Sequence, residues 1–129
     1  MKSHLRSASD VLERQLLDPE LRMRWERTTL SRAVALRLVL YRAEHGLSQS
    51  ALGCLVGMSQ PAIARIEAGE RVPTVETLLR LSDALSIEFL LDIRPANGTS
   101  SWVSAEAEAA AIVETVTTEK GSRLLVAVN

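Results

Sequence analysis

Covalent and metal chemistry need nucleophiles, acid–base pairs or metal ligands at spacings that let them converge, and in this sequence those groups stand apart. The two histidines, His4 and His45, are distant from each other, and the single cysteine, Cys54, has no histidine near it, so no paired metal-ligand spacing arises. No metal and no cofactor is expected. Glu44 and His45 are nominally an acid and a base, but they end a helical stretch with no nucleophile or oxyanion donor beside them, so the chain reads as not an enzyme. With no cation close by in sequence, Cys54 is expected to pack as a small hydrophobe rather than to act as a reactive thiol.

What remains is recognition by uncharged and charged polar side chains held in an apolar frame, and residues 49–68 supply that frame. A helix-turn-helix packs two short helices at a steep angle, which requires a small residue midway along the first, a turn residue able to take positive φ, and apolar residues at the contact. The apolar positions are Leu52, Val56, Met58, Ile63 and Ile66, the small one is Gly53, and the turn is Gly57. Pro61 falls in the first turn of the second helix, where a missing amide hydrogen matters little. The apolar residues are scaffold, so function rests on the polar positions between them.

Leu47-Ser48-Gln49, Leu52, Val56-Gly57, Ser59-Gln60, Ile63, Ile66-Glu67, Gly69, Pro73 and Thr77-Leu78 closely resemble the Xre type of phage-repressor-like DNA-binding domain, over residues 31–85. The resemblance implies a lambda-repressor-like, mainly α fold in which the helix after Ser59 lies in the major groove of B-form DNA. It departs from the pattern at Gly53, usually alanine, which should mildly weaken that helix. By the same mapping Gln60, Pro61 and Arg65 face base edges. Gln60 can pair bidentately with adenine and Arg65 can reach guanine O6 and N7, each discriminating by roughly 1 to 3 kcal/mol, whereas Pro61 offers only apolar contact. Gln49, assisted by Ser48, Ser59 and Arg42, should hold phosphates, which fixes register without reading sequence. Arg42 and Glu67 match a pair that joins the first helix to the end of the reading helix.

The order of N-terminal helices, then Asp18-Pro19-Glu20-Leu21, then Arg42-Ala43-Glu44-His45-Gly46-Leu47-Ser48-Gln49 further resembles HigA-type antitoxins of toxin–antitoxin operons. That likeness implies a repressor of its own operon that also neutralises an RNA-cleaving toxin. The alternatives are a stand-alone Xre-family regulator without a toxin partner and an adaptor that binds only protein. A homodimer on double-stranded operator DNA is expected in the first two cases, because one such domain covers too little DNA for tight specific binding.

These residues need elements to position them. Ser9, Asp18 with Pro19, Ser48, Ser59 and Thr74 each precede an apolar-periodic run and can cap a helix, giving five helix starts. The first helix spans about residues 10–17. Residues 19–45 contain no glycine and no second proline, with Thr28-Thr29 the best place for a break and Leu36, Val39, Leu40 and Ala43 an apolar face. Short helices follow at 48–56, 59–67 and 74–85. Ile87, Phe89, Leu90, Leu91 and Ile93 read as a strand closed by Pro95. Residues 96–101 are a linker by composition, the Ala/Glu-rich stretch from Ser104 can be helical, and residues 112–118 and 123–128 suggest a hairpin. The chain thus divides into an N-terminal helical extension (1–30), a helix-turn-helix domain (31–85) and a C-terminal strand and tail (86–129). That tail and the strand before it carry more apolar sequence than one edge strand can bury, and are the expected dimer or partner-binding elements.

The formal net charge is −1, yet residues 1–45 hold nine of the fifteen Lys/Arg against six of the sixteen Asp/Glu. Phosphate binding needs local positive potential and aimed donors, not a basic whole, so a weakly acidic binder is admissible and a non-specific histone-like one is disfavoured. The N-terminal arginines Arg14, Arg22, Arg24, Arg27, Arg32 and Arg37 are interleaved with acids and read as a solvated helix face. Trp25 and Trp102 lie outside the motif, and Trp25, following Leu21 on one helical face, is expected to pack locally. The start of the chain lacks an apolar signal core and no apolar run nears the roughly 20 residues that span a bilayer, so a cytoplasmic protein without membrane contact is expected.

Overall fold

The structure, a computed structural model, describes residues 8–97 and 109–129. Trp102 and the Ala/Glu-rich stretch from Ser104 to residue 108 lie outside the described residues. Six helices come first: α1 (Ala8–Gln15), α2 (Pro19–Arg27), α3 (Thr29–His45), α4 (Gln49–Val56), α5 (Gln60–Glu67) and α6 (Val75–Leu85). Three strands follow: β1 (Phe89–Arg94), β2 (Ile112–Thr117) and β3 (Arg123–Val128).

The helix boundaries follow from side chains that satisfy orphan amides. Asp18, Ser48, Ser59 and Thr74 accept hydrogen bonds from the backbone amides of Glu20, Ala51, Ala62 and Thr77 respectively. The expected break at the threonine pair is real. Thr28 Oγ1 donates to the Arg24 carbonyl at 2.9 Å and Thr29 Oγ1 to that of Glu26 at 3.0 Å, so both hydroxyls compete for carbonyls of the helix they end.

The strands form one antiparallel sheet in the order β1-β3-β2, with the C-terminal strand in the middle. Val126 lies opposite both Leu91 and Glu114, which fixes the two registers. The hairpin read from residues 112–118 and 123–128 is present, and it also supplies the partner that β1 lacked. β1 nonetheless stays at the edge of the sheet, with Leu90, Leu91 and Ile93 38 to 74% exposed. Ile112, Val126 and Val128 join the same core as Ala33, Val34, Leu38, Leu52, Ile63, Leu81 and Ile87. Sheet and helices share one apolar interior.

Three expectations are corrected by this packing. The α3 stripe of Leu36, Val39, Leu40 and Ala43 faces outward, with its three large side chains 39 to 47% exposed. The helix is buried instead through Ser31, Val34, Ala35 and Leu38, which share the same i, i+3, i+4, i+7 spacing on a different face. Cys54 is exposed rather than packed, because α4 buries Leu52, Gly53 and Val56 and a step of about 100° per residue turns position 54 away. The third concerns the arginines. Arg22 pairs with Glu26 and donates to the Thr117 carbonyl at 3.0 Å, Arg32 reaches Glu114 at 3.2 Å, and Arg37 lies 3.8 Å from Glu44. Two of the six, Arg22 and Arg32, therefore tie elements together, and Arg37 pairs within α3, instead of all facing solvent alone. Trp25 packs locally as expected, with the Arg32 guanidinium 3.4 Å above its ring centre.

Candidate nucleic-acid interface

The two short helices α4 and α5 meet through Leu52, Val56, Ile63 and Ile66, all buried, with Met58 half-buried at the turn between them. Gly57 ends α4 at φ 75°, a left-handed conformation that a side chain disfavours. The Gly57 and Met58 amides both return to the Gly53 carbonyl, Met58 at 2.8 Å, which closes the turn tightly. The close return brings the Met58 carbonyl oxygen onto the space a Cβ at position 53 would occupy. Glycine at that site is a steric requirement of the turn as it stands, beyond the propensity penalty it imposes on the helix.

From this frame the polar residues at positions 42, 49, 60 and 67 converge. Arg42 Nε, on α3, donates to Glu67 Oε1 at 2.9 Å, and the Glu67 side chain is only 7% exposed. Glu67 Oε2 accepts from Gln49 Nε2 at 2.7 Å. Gln49 Oε1 in turn accepts from Gln60 Nε2 at 2.8 Å. A single chain of hydrogen bonds thus runs from α3 through the C-terminal end of α5 and the first residue of α4 to the first residue of α5. Each bond restrains the next, so the exposed Gln60 amide is oriented by groups on three helices. Its Oε1 remains directed by that restraint and is the atom through which an outside donor can be met.

Ser48 and Ser59 use an Oγ lone pair to cap α4 and α5, which leaves each hydroxyl proton able to donate to an external acceptor. Pro61 is exposed in the first turn of α5. Arg65 is exposed near the end of α5 and lines a shallow pocket of about 90 Å³ with Met58, Ala62, Arg71 and Thr74. Arg65 is not part of the hydrogen-bond chain that joins the other four.

Two features escaped the sequence reading. Arg71 stands on the same pocket rim as Arg65, and its loop is held by the buried Ser31, whose Oγ donates to the Arg71 carbonyl at 3.2 Å. The only sequence signal was the capping Thr74 just downstream. Arg80 on α6 donates to the Gly57 carbonyl at 3.3 Å and so braces the turn from behind. Nothing in the spacing of a surface arginine on a later helix announces that contact.

Residues 38–91 match the model of a helix-turn-helix family. An uncharacterized HTH-type transcriptional regulator of Haemophilus influenzae is 47% identical over 49 residues, which is 38% of this chain and 50% of that protein. The chain therefore aligns with about half the length of that relative. No solved structure matches it.

Proposed function

We propose that the protein is a sequence-specific DNA-binding transcriptional regulator that acts in the cytoplasm as a repressor, inserting the N-terminal turn of α5 into the major groove. One observation carries this reading: Gln60 is exposed at the head of α5 while its amide is aimed by the Gln49–Glu67–Arg42 chain. An amide that only met water would gain little from such restraint, whereas bidentate pairing with an adenine requires it. In this reading Gln60, Pro61 and Arg65 face the bases. Gln49, Ser48, Ser59 and Arg42 face phosphates.

The assembly is a homodimer reading two half-sites about 34 to 36 Å apart. Footprinting on the promoter that precedes its own reading frame tests the proposal. A protected, two-fold-symmetric site that resists competitor DNA supports it, and equal affinity for all sequences removes the base-reading role.

The finer reading is the antitoxin of a type II toxin–antitoxin pair, silencing an RNase toxin. It is favoured by the N-terminal extension: α1 and α2 bury none of their residues, while Val11, Leu17, Leu21 and Met23 are 40 to 81% exposed. Such a surface suits a protein partner. Co-expression with the neighbouring reading frame decides between this and the stand-alone regulator, since the antitoxin must relieve a growth arrest that its neighbour causes.

A further inference from the structure

We propose that Glu67, although almost fully covered and at the opposite end of α5 from Gln60, sets which base the protein prefers, by fixing which end of the Gln60 amide faces outward. The consequence for DNA rests on the reading proposed above; the polarity itself rests on the hydrogen bonds alone.

The two ends of a glutamine amide are nearly alike in shape, so its partners decide where its oxygen and its nitrogen point. Here the decision is made at one end of the chain. A guanidinium only donates, and an ionised carboxylate only accepts. Arg42 Nε holds Glu67 Oε1 at 2.9 Å, which leaves Oε2 for Gln49. Gln49 must therefore offer its Nε2 to Glu67, at 2.7 Å, and its Oε1 is turned toward Gln60. Gln60 must answer with Nε2, at 2.8 Å, so its Oε1 and its second Nε2 proton are what an outside group meets. The Glu67 side chain is 7% exposed and Gln49 is half-buried, so water does not readily replace these partners.

The outward end of Gln60 is thus an acceptor beside a donor. Adenine presents the complement in the major groove, a donor at N6 beside an acceptor at N7. Guanine presents two acceptors, O6 and N7, and its O6 would oppose Gln60 Oε1. Exchanging the carboxylate for an amide of the same shape reverses every link. In Glu67→Gln, Arg42 still requires an oxygen, so the new amide nitrogen faces Gln49, whose Oε1 turns to meet it. Gln49 then donates to Gln60 Oε1, and both Gln60 amide protons face outward, a donor pair suited to guanine. Glu67 acts through Gln49 and Gln60 and is a positioning residue.

Competition titrations test this, using fragments of the footprinted site that carry each of the four bases at the position whose preference Gln60→Ala abolishes. The wild type should favour adenine over guanine by roughly 5- to 150-fold, and Glu67→Gln should favour guanine. In a Gln49→Met background, which cuts the chain, Glu67→Gln should leave the ranking of bases unchanged. Hydrogen exchange of the side-chain amides, followed by NMR in the free protein, reads the polarity without DNA. One Gln60 amide proton should exchange more slowly than the other in the wild type, and in Glu67→Gln both should exchange freely.

An unchanged adenine preference in Glu67→Gln, an equal loss on all four fragments, a switch that persists in the Gln49→Met background, or a slow Gln60 proton that survives the substitution would each overturn the role of Glu67. The two proposals fail separately. A wild type that binds all four fragments equally removes base reading, while the exchange pattern still decides the polarity. An adenine-preferring wild type whose ranking survives Glu67→Gln keeps the reading and removes the polarity.

Discussion

Gln60 and Gln49 act as one unit, and that coupling sets what substitution should do. Gln60→Ala should weaken binding to the specific site by roughly 1 to 3 kcal/mol while barely changing binding to unrelated DNA, measured by competition titration. Read from sequence, Gln49 is a phosphate ligand whose loss weakens all sequences alike. In the structure its Oε1 accepts from Gln60, so Gln49→Ala should also relax base preference, and the double variant should lose less than the sum of the singles. Strict additivity in that cycle would show that the amide pair is incidental. The same logic applies at the other end of the chain. Arg42→Ala or Glu67→Ala leaves one charge without its partner, Glu67 being almost fully covered, so each single should lower stability more than the pair removed together. Denaturant melts of the three variants measure it, and the reverse order of stabilities would refute the pairing argument.

Among the elements, the turn between α4 and α5 shows most directly how local demands fix the reading head. Gly53→Ala would gain about 1 kcal/mol of helix propensity, but the new methyl meets the Met58 carbonyl oxygen, a backbone atom that cannot swing aside. Overpacking typically costs about 1 to 3 kcal/mol, so the net effect should be a destabilisation, read as a lower urea midpoint at unchanged slope. An increase in stability would mean that the turn relaxes freely. The sequence reading located this turn, the caps at Asp18, Ser48, Ser59 and Thr74 and the threonine break, because each depends on residue types within a few positions, whereas Ser9, read as a cap, lies inside α1. It misassigned the buried face of α3, since two apolar stripes with identical spacing occur on that helix and periodicity alone does not say which one meets the core. It likewise could not see that Arg22 and Arg32 would bond to residues 95 and 82 positions away. At the site, the individual residues were legible from the motif, while their joining into one hydrogen-bond chain depended on how three helices pack.

For the whole molecule, the shared interior bears on whether residues 31–85 can stand alone. Val126 and Val128 are fully buried and Ile112 nearly so, in one cluster with Val34, Leu38 and Leu81. Burying each such side chain contributes about 1.5 to 3 kcal/mol, so the three together are comparable to the roughly 5 to 15 kcal/mol by which a domain is stable. Val126→Ala should therefore cost about 2 kcal/mol, and the helices should feel it although the residue sits in a strand. The discriminating measurement follows urea unfolding by far-UV circular dichroism, which is dominated by the helices, and by Trp25 fluorescence in a Trp102→Phe background. Trp25 reports on the join between helices and sheet, because Arg32 both stacks on its ring and pairs with Glu114 of β2. If sheet and helices unfold as one unit, both probes shift to the same lower midpoint in Val126→Ala. Should the circular dichroism midpoint stay at its wild-type value while the fluorescence midpoint falls, the sheet is an appendage on an autonomous helix-turn-helix, and the common core contributes packing without cooperativity.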